Sequence, residues 1–100
     1  MYVVIFKAII KNADSEYNQT ALMLRDLATT KYNCIHIDST TTNHLETTKS
    51  YWNSMEDISR WKLDPLHVKA QKKGLLKWYQ SFEVEIKKEQ NQGKTFLKSK

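Results

Sequence analysis

Between positions 50 and 79 the chain places Tyr51, Trp52, Trp61, His67, Gln71, Trp78 and Tyr79. All three tryptophans of the sequence fall inside this stretch. Leucine, isoleucine and valine suffice to fill a core of this size, so three indoles, two tyrosines and a histidine need a further reason. Two are open: bulky packing, or the wall of a pocket for a flat organic molecule. A pocket of that kind is mostly apolar, with a few polar groups that fix orientation. Read as one helix, residues 65–78 set His67, Gln71, Gly74 and Trp78 at i, i+4, i+7 and i+11, a single stripe. The stripe carries an ionisable ring, an amide, a gap and an indole. An imidazole titrates near neutrality and suits general-base work. Tyr51, Trp61 and Trp78 are the rings on which a flat ligand would stack. Gln71 or Asp57 would orient its polar edge.

The elements that must position these groups follow from local patterns. Residues 2–11 read as a first strand without strict alternation, so both of its faces are expected to be covered. Asp14 or Ser15 caps a helix over about 15–31, whose apolar face is Tyr17, Ala21, Leu24, Leu27 and Ala28. Residues 34–40 and 45–53 read as strands joined by the turn Thr41-Thr42-Asn43-His44, an antiparallel hairpin. Ser54 caps a short helix, with Asp57 three residues on in a box-like arrangement. Asp64-Pro65 opens another helix that runs toward 78. Residues 80–88 alternate cleanly, with Phe82, Val84 and Ile86 on one side and Glu83, Glu85 and Lys87 on the other.

The order strand, helix, strand, strand, helix, helix, strand is the split βαβ plan of ferredoxin-like folds. It predicts an α+β domain over 1–90, with a four-stranded antiparallel sheet and helices on one face. The other face needs a cover, and a second copy of the sheet supplies one, so a homodimer with two sheets face to face is expected. Residues 91–100 read as a basic, flexible tail.

One hundred residues make one domain. Cys34 is the single cysteine, so no internal disulfide is possible and the fold does not depend on an oxidising compartment. It reads as a small buried hydrophobe. The N-terminal apolar run has no basic region before it and is too short to cross a bilayer, so it reads as a strand and the protein as cytoplasmic. The net charge of +5 comes partly from Lys94, Lys98 and Lys100 and from Lys69, Lys72, Lys73 and Lys77. No nucleic-acid motif accompanies these charges, which suit a solvated helix face and a tail. Neither nucleic acid nor membrane is an expected partner. No metal-ligand spacing and no glycine-rich phosphate loop is present.

The string Ser50-Tyr51-Trp52, Trp61-Lys62, His67, Ala70-Gln71, Gly74 and Trp78-Tyr79, followed by an alternating strand, resembles the antibiotic biosynthesis monooxygenase domain family. The resemblance spans roughly residues 1–90, and residues 50–82 carry its specificity. It implies a dimeric α+β barrel. Within that broad family, some members oxidise polycyclic phenols or quinols with molecular oxygen and no metal or flavin, and others degrade heme. Trp61 matches a tryptophan of both groups. The heme-ligating histidine falls at Gln71 here, which cannot replace an imidazole on iron, and the first-strand asparagine is replaced by Lys7 or a neighbour. In quinol oxidisers a polar residue, asparagine in some members, lies one turn before the tryptophan, where this chain has Asp57. The resemblance therefore implies a cofactor-independent monooxygenase of a small aromatic quinol or phenol. His67 and Trp61 are the candidate catalytic residues, and Tyr51, Asp57, Gln71 and Trp78 the candidate substrate contacts. The alternative is a barrel that binds a small aromatic ligand without turnover.

Overall fold

The computed structural model describes residues 1–88. The elements are β1 (Tyr2–Ile10), α1 (Ser15–Lys31), β2 (His36–Thr42), β3 (Leu45–Trp52), α2 (Met55–Leu63), α3 (Pro65–Lys73), a π-helical segment (Gly74–Trp78) and β4 (Tyr79–Lys88). The four strands form one antiparallel sheet in the order β2-β3-β1-β4. This is the α+β, ferredoxin-like arrangement expected from the strand order. Residues 89–100, which include the basic tail, lie outside the described residues.

Helix starts are set by short side chains at the expected places. Asp14 accepts a hydrogen bond from the Tyr17 amide, Ser54 from the Asp57 amide, and Asp64 from the Leu66 amide. Each satisfies a backbone donor that the first helical turn leaves unpaired. Pro65 follows at the first position of α3. The β2–β3 hairpin closes through Asn43 and His44 alone, at φ 50° and 70°. Two successive positive φ values are what a tight hairpin turn matched to strand twist requires. Thr41 and Thr42, expected in the turn, belong to β2. That strand also begins two residues later than the apolar run Cys34-Ile35 led us to expect. The chain reaches it through Asn33 in the left-handed region, at φ 63°, and the Cys34 amide still donates to Ala28 at the end of α1.

The register sorts the side chains onto two faces. Trp52, opposite Tyr2 on β1, joins Ala28, Tyr32, Cys34 and Ile58 in the core, with Val4, Leu27, Ile37, Trp61 and Ile86 packed around it. Even-numbered β1 residues therefore face the helices. Trp52 and Ala28 are fully buried and Ile58 is 1% exposed. Of the apolar face expected for α1, Tyr17 and Ala28 are buried, Leu24 and Leu27 half-buried, and Ala21 exposed. The opposite sheet face carries Val3 and Ile5 beside Lys7, Lys49, Asp38, Glu83, Glu85 and Lys87. Lys7 stands across from Glu83 and Lys49 from Asp38. In a single chain Val3 is buried on this face too, while Ile5 is half-buried and Lys7 and Ile9 are exposed. Among the described residues no helix is long and apolar enough to cross a membrane.

Candidate functional site

Asp64 is the joint between α2 and α3, and the candidate site is built around it. Its backbone leaves helical geometry at ψ 132°, which turns the chain between the two helices. One carboxylate oxygen caps α3 through the Leu66 amide at 2.8 Å, and the other accepts the Tyr32 hydroxyl at 2.5 Å. Lys31 Nζ stands 3.9 Å from the same carboxylate. The Tyr32 hydroxyl, against the opposing effect of burial, holds the Asp64 carboxyl below its usual range, helped by the Leu66 amide, Lys31 and the His67 amide. The Tyr32 phenol is correspondingly pushed up by its bond to Asp64 and by burial. Tyr32 was not among the residues expected here. Its partner lies 32 positions away, a pairing that no local pattern announces.

This corner brings Trp61 and His67 together. Their ring centroids are 4.4 Å apart, inclined by 50°. Trp61 also meets Tyr32 at 5.9 Å and Trp52 at 6.4 Å. Four aromatic rings thus form one continuous cluster, with the imidazole at its edge. His67 Nδ1 is buried and has no hydrogen-bond partner within the protein. Burial lowers the pKa of the imidazole, against smaller opposing effects from the Lys62 carbonyl and the Asp64 charge. A neutral imidazole is a proton acceptor, so the ring stands in the form a general base requires.

The other expected site residues are distributed unevenly. Asp57 lies one turn before Trp61 on α2, and its carboxylate is already engaged by Arg60 at 2.5 Å and Asn33 at 3.4 Å. Burial raises its pKa, but Arg60, Ser54 and Asn33 outweigh that and leave it lowered. Gln71 lies one turn beyond His67 on α3 and is half-buried. Trp52 uses its indole N–H within its own strand, donating to the Ser50 hydroxyl at 2.8 Å.

Tyr51 and Trp78 are not brought to this corner. Tyr51 points to the other sheet face, where its ring stacks on His36 at 5.9 Å. Trp78 packs edge-on against Tyr17 at 5.3 Å and donates to Asp14 at 3.2 Å. Tyr17 and Asp14 stand at the N-terminus of α1, whereas Tyr32 follows its C-terminus. Those ends are about 25 Å apart for a 17-residue helix. The predicted stripe fails for two reasons. Eleven helical residues already span about 16 Å, longer than one small aromatic molecule. In addition, the chain widens into π geometry from Gly74 to Trp78, which changes the angular phase. Gly74 is the gap for a protein ring rather than a ligand: a Cβ there would lie 2.5 Å from the Tyr79 ring.

Two surface hollows lie elsewhere. One of about 420 Å³ runs between α1 and β2, lined by Leu22, Arg25, Thr29, Ile35 and Ile37 among others. Another of about 270 Å³ lies on the open sheet face near Ile5, Lys7, Glu83 and Glu85. Neither is lined by Trp61 or His67.

No family model matches the chain. The Bacillus subtilis protein YqjZ, itself uncharacterised, is 32% identical over 88 residues, which is 87% of this chain and 77% of that protein. Among solved structures, SnoaB, a cofactor-independent oxygenase from Streptomyces nogalater, superposes with a TM-score of 0.76 over 93% of this chain and 97% of its own, at 7% identity. A Deinococcus radiodurans protein assigned as an antibiotic biosynthesis monooxygenase gives 0.80 over 96% and 99%, at 6% identity. Rv0793 from Mycobacterium tuberculosis gives 0.78 over 93% and 98%, at 9% identity. At such identities the likeness is one of fold. The chain belongs to the family of YqjZ, and its fold is that of the antibiotic biosynthesis monooxygenases.

Proposed function

We propose that this protein is a cofactor-independent monooxygenase that oxidises a small aromatic quinol or phenol with molecular oxygen, as a homodimer in the cytoplasm. The observation that carries the reading is His67, whose buried Nδ1 is unpaired within the protein and whose ring lies against Trp61. A buried nitrogen without a partner costs about 1–3 kcal/mol, and a substrate hydroxyl that reaches it when the corner opens would relieve that cost. The fold shared with SnoaB adds support of a general kind.

In this reading the imidazole takes the proton of the substrate hydroxyl. The electron-rich phenolate passes one electron to oxygen, and the resulting phenoxyl radical and superoxide combine at a ring carbon. The imidazolium protonates the resulting peroxide; the imidazole then takes the proton from the same ring carbon as the O–O bond breaks and returns it to the departing hydroxide, leaving a quinone. One oxygen atom enters the product and the other leaves as water. Trp61 supplies a flat face for the ring, and Gln71 orients the polar edge.

The close ring contacts among Tyr32, Trp52 and Trp61 favour one other reading, in which the barrel holds a small aromatic ligand without turnover. Heme degradation is the weakest alternative, because Gln71 stands where the resemblance places the iron ligand. Quinol titration under nitrogen, read by tryptophan fluorescence and then repeated in air with an oxygen electrode, separates the first two. Quenching followed by oxygen uptake supports the oxygenase. Quenching with no uptake overturns it in favour of the binding protein.

A further inference from the structure

The helix-facing side of the sheet changes character along its length. At the Trp52 end it is closed and apolar, with Trp52 and Ala28 fully buried. Toward the Asn43–His44 turn the same face carries Thr48 and Glu46 on β3 and Ser39 and Thr41 on β2, in register with Phe6 and Ala8. Here Phe6, Phe82, Thr48 and Glu46 are half-buried, and Ser39 and Thr41 are exposed. Ala8, between Glu46 and Phe82, is 1% exposed, so the layer is closed over β1 there and opens over β3 and β2, where polar side chains on the inner face are left in reach of water.

The polar groups are ordered in a line. Thr48 donates to Glu46 Oε2 at 3.0 Å, and Ser39 lies 2.9 Å from the Thr48 hydroxyl. Thr48 has one hydroxyl proton and gives it to Glu46, so Ser39 must be the donor to Thr48. The line therefore runs Ser39 to Thr48 to Glu46 and ends on a carboxylate. Among the described residues no cation pairs with that carboxylate, and its Oε1 has no protein donor. Aromatic rings stand alongside: Phe6 lies 5.5 Å from both Tyr79 and Phe82, and Tyr79 lies 6.1 Å from Tyr17.

We infer that this opening is a ligand site in which Glu46 accepts a hydrogen bond from the hydroxyl or amine of a small aromatic molecule lying against Phe6. A flat apolar body matches the rings, and one donor matches the free end of the line. Burial raises the pKa of the Glu46 carboxyl, against the smaller lowering effect of Thr48, which agrees with an acceptor short of donors. Glu46 selects for the donor group. The inference concerns ligand capture and does not require turnover at His67.

The test is amide NMR of the ¹⁵N-labelled full chain under nitrogen, titrated with 1-naphthol and with 1-methoxynaphthalene, which lacks the donor. The expected result is naphthol-induced shifts at Phe6, Glu46, Thr48 and Phe82, with binding about tenfold tighter than the ether, as a charged hydrogen bond supplies. Glu46→Leu should erase that preference and Glu46→Gln should weaken it, with the remaining amide spectrum unchanged. Equal binding of the two probes, shifts confined to Trp61 and His67, or a preference unaltered in folded Glu46→Leu each overturns the inference. Should Glu46→Leu not fold, an unaltered preference in Glu46→Gln does so. Because oxygen is excluded, binding is read apart from turnover: a protein that binds in this way but takes up no oxygen when the quinols are supplied in air refutes the oxygenase reading and leaves this one standing.

Discussion

At the residue scale the account rests on three side chains that the Asp64 joint holds in place: Tyr32, Trp61 and His67. Tyr32→Phe removes the hydroxyl that holds down the Asp64 carboxyl. The variant should melt at lower temperature, and the Asp64 carboxyl should titrate at higher pH by NMR; an unmoved titration would show that the hydroxyl does not set it. The pH dependence follows with its sign. Asp64 and Asp57 are lowered in the folded chain, so the stability they add is complete above the ordinary carboxylate value of 3.8 and is lost as pH falls through the lowered values. Asp64→Asn should therefore flatten the acid limb of a stability curve. His67 is lowered from 6.5 because it is buried, so kcat/KM for the proposed reaction should decline only below that pH. A decline centred above 6.5 would contradict a buried base. Trp61 and His67 were candidates by residue type, but that their rings meet depends on the Asp64 joint between two helices. Tyr32 was not a candidate, because its role depends on a partner brought close by the tertiary fold. Tyr51 and Trp78 share the composition of the site but not its place, since spacing along a chain does not say which side of a sheet a ring will face.

At the element scale the helix starts were legible and the strand start was not. Capping is a contact over two or three residues, so Asp14, Ser54 and Asp64 could be recognised from order alone. The beginning of β2 depends on the left-handed Asn33 and on the Cys34 amide reaching back to α1, and the apolar run Cys34-Ile35 hid both. The passage from α3 into π geometry was equally silent; it begins at Gly74, which lies against the Tyr79 ring. Gly74 has ordinary helical angles, where alanine would normally stabilise. The clash with Tyr79 reverses that sign, and Gly74→Ala should destabilise by about 1–3 kcal/mol in a denaturant titration. A gain in stability would show that the ring moves aside freely. Trp52→Ala, which empties the fully buried centre of the core, should cost about 3–5 kcal/mol by the same measurement.

At the scale of the whole molecule the ferredoxin-like plan was legible from strand order and alternation, and the sheet order agrees with it. The face opposite the helices is more charged than a simple two-sheet packing leads one to expect, with Lys7 across from Glu83 and Lys49 from Asp38. Val3 is already buried in the single chain, so a homodimer formed through this face must centre on Ile5 and Ile9 and match the surrounding charges between copies. Sedimentation equilibrium should give twice the chain mass, and Ile5→Lys should give one chain mass; a monomeric wild type would remove the barrel from the account. The central claim is that the His67–Trp61 corner performs oxygen chemistry unaided. Its most direct test is oxygen consumption across a panel of quinols, in the presence of a metal chelator, by the wild type and by folded His67→Ala. The account predicts steady uptake by the wild type and its loss in the variant. Equal uptake by both proteins would contradict it.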